Sequence, residues 1–220
     1  MPENILIQVP FILDFSNLQF DKAVIFLIAI LVTITINAEG QAFMASLLGD
    51  SPKDATDRFH FNPLLHINLP GLICFAVAGF GWPKQIKINS DGFKHPDRYR
   101  VMVKFAGAFA NLLLASIAGS IVWAFTLFGM EDQVFSIIAA MNIMVFVFNI
   151  IPVPPLAGAS LISLLVPEKL KNSSGARYFS IIFPYLFVFF LLFMRTNKLP
   201  ILLNHYLDPV VKSLFMFMSN

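Results

Sequence analysis

Residues 105–129 carry no Asp, Glu, Lys or Arg. At about 1.5 Å of rise per residue, a helix of that length covers the roughly 30 Å hydrocarbon core of a bilayer. Three further runs are similar: 23–36, continuing after a polar cluster (Asn37, Glu39, Gln41) to Leu48; 134–151; and 178–194, where Pro184 predicts a kink. In lipid, each backbone N–H and C=O must be satisfied within its own segment, which leaves helices for runs like these. The pattern predicts an all-α, polytopic integral membrane protein. Only 13% of the chain is charged, against about 25% in soluble domains, so lipid rather than water is its expected solvent.

Two segments fit less simply. The run 64–81 is short and interrupted by His66, Asn68, Pro70 and Gly71. It is expected to be re-entrant or broken, which is tolerated at membrane depth only where protein or a cavity surrounds the backbone. The run 199–218 mixes apolar residues with His205, Asp208 and Lys212, so it reads as a weak last span or an interfacial helix. Gly49 and Pro52 mark the stop of the first long helix.

Several functions are excluded. The single cysteine, Cys74, rules out an intramolecular disulfide or a multi-cysteine metal site. The net charge of +2 comes with no basic block, so no nucleic-acid partner is expected. There is no Gly-rich phosphate loop, and residues 1–22 lack the basic start and cleavage site of a signal peptide. Residues 83–100 are net +3 and residues 166–177 net +2, whereas the connection between 105–129 and 134–151 holds only Glu131 and Asp132. Lys and Arg favour the cytoplasmic face, so both basic loops are expected there. Membrane lipids are the expected surroundings.

Five stretches in order resemble one family, the compact bacterial branch of the site-2 proteases. Asn37-Ala38-Glu39-Gly40-Gln41-Ala42 and Leu48-Gly49-Asp50 stand where that family has H-E-x-x-H-A and L-G-D. Phe61-Asn62-Pro63-Leu64-Leu65-His66-Ile67-Asn68 is similar to L-N-P-x-x-H-I-D, and Gly81-Trp82-Pro83-Lys84 to G-W-x-K. Ala106-Gly107-Ala108-Phe109-Ala110-Asn111 follows A-G-P-x-x-N without its proline. Phe148-Asn149-Ile150-Ile151-Pro152-Val153-Pro154-Pro155-Leu156-Ala157-Gly158 follows F-N-x-x-P-x-P-P-L-D-G with one change. The resemblance covers a site-2-protease-like membrane core (23–165), while charge and apolar runs make 1–22 an interfacial or non-cytoplasmic arm and 166–220 C-terminal membrane helices. It also implies a bacterial cytoplasmic membrane.

The resemblance further implies a zinc site, and here the chain departs from the family. Two His at i and i+4 share a helix face and bind zinc, the Glu activates water, and a third ligand leaves one position open. At those positions stand Asn37, Ala38 and Gln41, with Ala157 in place of the aspartate. Sliding the motif by one residue keeps Glu39 as the acid but puts Ala38 and Ala42 at both His positions. Either way, no metal or cofactor is expected. Glu39 is then the notable survivor, either solvated or paired with Lys84 near the helix end, or buried and bonded to His66 or Asn111 in the former cleft. His66, Asn111 and Asn149 are candidate cleft residues, although Asn111 and Asn149 could equally tie helices together. His60 and His66 lack a recognised ligand spacing.

The expected function is a non-catalytic site-2-protease-like protein serving as a binding, scaffold or regulatory subunit beside other integral membrane proteins. The alternatives are an active intramembrane zinc protease with an unorthodox site, and a subunit that binds a lipid, quinone or ion in the former cleft.

Overall fold

The computed structural model describes residues 19–50, 61–171 and 173–197, with short helical pieces between 209 and 217. The expectations for residues 1–18, His60 and most of 199–218 lie outside the described residues. Every element is helical, and no strand occurs among the described residues. In chain order the helices are α1 (Phe20–Leu47), α2 (Leu69–Ala78), α3 (Pro96–Leu127), α4 (Val134–Ile150), α5 (Ala159–Ser163), α6 (Glu168–Lys171) and α7 (Ser174–Asn197). Single 3-10 turns lie at Pro63–His66 and Ser90–Gly92.

Three helices, α1, α3 and α7, are long and apolar enough to cross a membrane. The protein is therefore an all-α polytopic membrane protein. The run 134–151 forms α4, a 17-residue helix about 25 Å long, a little under the hydrocarbon thickness. α7 passes through Pro184 without interruption.

The segment 64–81 is broken, and local chemistry explains where. Pro63 opens the 3-10 turn and the Asn62 side chain accepts from Leu64 N at 3.1 Å. Ile67 and Asn68 are extended, and Asn68 then caps α2 by accepting from Gly71 N at 3.0 Å. The resulting 10-residue helix is about 15 Å long, too short to cross alone.

The basic stretch 83–100 is not all loop. Pro96, whose missing N–H costs nothing at a helix start, begins α3, and Asp97 in the first turn complements the helix dipole. Arg98 and Arg100 therefore stand on α3. The charges between 97 and 104 ended the apolar run in the sequence without ending the helix.

α1, α3 and α4 pack on one another, α2 packs on α7, and the turn 63–66 packs on α1. One apolar core runs from Phe26, Ile30 and Ile34 through Ala115 and Ala118 to Met141, Ile143, Met144 and Val145, and on to Cys74, Phe75 and Val188. The outward residues are also apolar, among them Leu113, Ile117, Phe189 and Phe193, as a lipid-facing surface requires.

The two basic segments meet at one end of the bundle. Lys171 Nζ lies 2.9 Å from Asp97 Oδ2, and Asp50 accepts from Asn89 N at 3.0 Å. Gly49, with φ of 94°, ends α1 in a left-handed turn that a side chain would strain. It passes so close to Gly92 that a Cβ on either would meet the other's carbonyl. The sequence Leu48-Gly49-Asp50 is thus a clasp between the end of α1 and the basic segment.

Candidate functional site: a buried chain of amides

Thr33, Asn37 and Gln41 follow one another at four-residue steps and share one face of α1. α3 can approach that face because Gly107 stands opposite. A Cβ there would lie 2.6 Å from Asn37 O and 2.8 Å from Gln41 Cγ, and Gly40 is similarly tight against Ala110. Across this crossing, Gln41 Nε2 donates to Asn37 Oδ1 at 2.7 Å and Asn37 Nδ2 donates to Asn111 Oδ1 at 2.5 Å. Asn111 Nδ2 donates to Asn142 Oδ1 at 2.6 Å and to Thr33 O at 3.0 Å. Asn142 Nδ2 donates to Thr33 Oγ1 at 2.9 Å and to Ile138 O at 2.8 Å. All five side chains are buried.

The direction of this chain is fixed by its far end. Thr33 O and Ile138 O are backbone carbonyls and can only accept, so the amide nitrogens of Asn111 and Asn142 must face them. Asn111 then presents its oxygen to Asn37, and Asn37 presents its oxygen to Gln41. The Gln41 nitrogen is thereby committed, and its Oε1 is buried without a donor. Two main-chain groups thus set the orientation of four amides on three helices.

Asn142 was not singled out by the sequence reading. A lone amide inside the run 134–151 was the available signal, of the same kind as Asn111 inside 105–129, because a polar side chain at membrane depth needs a partner. Ala38, between these positions, is fully buried.

Glu39 sits about 200° around α1 from Asn37 and belongs to a different contact. It is 6% exposed, and its Oε1 lies 3.3 Å from His66 Nε2 without hydrogen-bond alignment. Neither carboxyl oxygen has a hydrogen-bond donor among the described residues. Glu39 therefore meets His66 on the broken segment, whereas Asn111 is engaged by Asn37 and Lys84 is exposed. His66 is held from behind by its own carbonyl, which accepts from Lys84 N at 2.8 Å.

Asn149 and Ala157 pair with each other. Asn149 Oδ1 accepts from Ala157 N at 3.0 Å, its backbone oxygen accepts from Gly158 N at 2.7 Å, and its Nδ2 donates to Val145 O at 2.7 Å. This folds the Pro152–Gly158 turn, which contains the cis Pro154–Pro155 peptide, back onto the end of α4. Asn149 works here as a clamp on the backbone.

The zinc site implied by the resemblance can be tested against these residues. Asn37 spends both polar atoms on Asn111 and Gln41, Gln41 keeps only its Oε1, and amides are poor zinc ligands beside imidazole or thiolate. Ala38 and Ala157 offer no donor. Among the described residues, no group of three or more His, Cys, Asp or Glu could hold a metal ion. The residues present do not fit the metal.

Comparison with known proteins gives a related chain. The sequence is 36% identical over 172 residues to the "Putative zinc metalloprotease YwhC" of Bacillus subtilis (strain 168), covering 73% of this chain and 78% of that one. No family model matches the sequence. No solved structure matches it. With identity and coverage of that size, the chain belongs to the metalloprotease family represented by YwhC.

Proposed function

We propose that this chain is a non-catalytic member of its family, a membrane-embedded subunit that binds, scaffolds or regulates other integral membrane proteins. One observation supports this above all: the i,i+4 pair expected to hold zinc is a pair of amides bonded to each other and continued into Asn111 and Asn142. A metalloprotease needs a metal to polarise the scissile carbonyl and activate water, and a base to take the proton. Asn37, Ala38, Gln41 and Ala157 provide neither. The hydrogen bonds instead join α1, α3 and α4, each contributing about 0.6–2 kcal/mol in a membrane setting. That is a means of holding a helical scaffold in shape.

The same reading places the basic end of the bundle, where segments 83–100 and 166–177 meet, on the cytoplasmic face of a bacterial cytoplasmic membrane. The Glu131–Asp132 connection lies on the other side.

The test is cleavage. Purified protein in liposomes is incubated, with added zinc, with a panel of single-span reporter substrates and analysed by mass spectrometry. Intact reporters are expected. Cleavage within a reporter's span, abolished by a chelator, would overturn the reading.

A further inference from the structure

We propose that the Glu39–His66 contact is a buried polar latch that holds the α2–α7 pair closed against the α1–α3–α4 bundle. The packing divides the molecule in this way: α1, α3 and α4 form one bundle, α2 lies on α7, and the 3-10 turn carrying His66 is the piece that lies on α1. Around it, the described residues of the joint include apolar side-chain contacts such as the Phe80–Phe148 stack at 3.4 Å. Apolar contact within a membrane gives little preference for one partner over lipid. A buried polar pair does.

Glu39 lies on a helix long and apolar enough to cross a membrane, with both carboxyl oxygens buried and no hydrogen-bond donor among the described residues. An ionisable side chain so placed is costly without a polar partner beside it. His66, 3.3 Å away, is that partner. Separating the two would strand the carboxyl group, so the pair favours the closed arrangement more strongly than the apolar contact around it. The outward side chains of the His66 segment (Phe61, Leu64, Leu65 and Leu69) are exposed and do not oppose its movement into lipid. The latch is independent of whether the family's chemistry is retained, because it lies on the opposite side of α1 from the amide chain.

Cys74 reads the state of this joint without engineering. It is the single cysteine of the chain, lies on α2 in the core shared by both parts, and is fully buried. The experiment measures its alkylation by N-ethylmaleimide in proteoliposomes at one fixed pH, for the parent, Glu39→Gln, His66→Gln, the double variant and Asn37→Ala. Each single change at the latch is expected to raise the rate by roughly tenfold or more. The double variant should react no faster than the faster single, since both changes break one interaction. Asn37→Ala, which cuts the amide chain but spares the latch, should stay within about twofold of the parent. His66→Gln, a near-isosteric change in a 3-10 turn outside the long helices, provides the reading if Glu39→Gln does not fold. Unchanged rates in the latch variants, additive effects in the double, or an equal rise in Asn37→Ala would each overturn the proposal.

Discussion

At the scale of single residues, the amide chain predicts an asymmetry between near-isosteric substitutions. Asn111 donates two hydrogen bonds, to Thr33 O and Asn142 Oδ1, and accepts one. Asn111→Asp removes both donors and faces a carboxylate with two acceptors in a dry site. It should cost about 3–5 kcal/mol, the scale for a stranded buried charge. Asn111→Ala should cost less, about 1–3 kcal/mol, because the groups it leaves are neutral. Denaturation in mixed micelles followed by circular dichroism would measure both, and equal losses would contradict the assigned direction of the chain. Gly107→Ala is expected to destabilise by about 1–3 kcal/mol through overpacking, because its new methyl must push aside Asn37 O. The same denaturation curve should show it.

At the scale of elements, the clasp at the end of α1 is open to the same kind of test. Gly49→Ala places a side chain at a φ of 94° and should cost about 1–2 kcal/mol by backbone strain. It should also raise proteolysis of the 83–95 segment that Gly49 and Asp50 hold, measured as cleavage rate by a limiting protease. Much of the element plan could be read in the sequence, because apolar runs and Gly or Pro stops follow from the same physics that places helices in lipid. The broken segment was legible from His66, Asn68, Pro70 and Gly71. The start of α3 was harder to see. Hydropathy ends at the charges between 97 and 104, whereas the helix follows Pro96 and the dipole-favouring Asp97. Asn142 was missed for a different reason: one amide in a long apolar run barely changes the pattern, and its meaning depends on which helices face it. Glu39 is a similar case. The sequence left it either solvated or paired with Lys84, or buried against His66 or Asn111, and the 200° turn of the helix separates it from Asn111 and gives it to His66.

At the scale of the whole molecule, the arrangement is a three-helix bundle cross-linked by amides, with a second pair of helices joined to it. The motif positions shared with the metalloprotease family represented by YwhC include Asn37, Gln41 and Asn111 in the bundle's interior. The residues there are engaged in joining α1, α3 and α4, so on the function proposed above hydrogen bonds stand where a metal would. The zinc content per chain of protein purified from native membranes without chelator, by elemental mass spectrometry, decides this. Zinc no higher than in the matched buffer is expected. One zinc per chain, lost in an Asn37→Ala, Gln41→Ala double variant that remains folded, would contradict it.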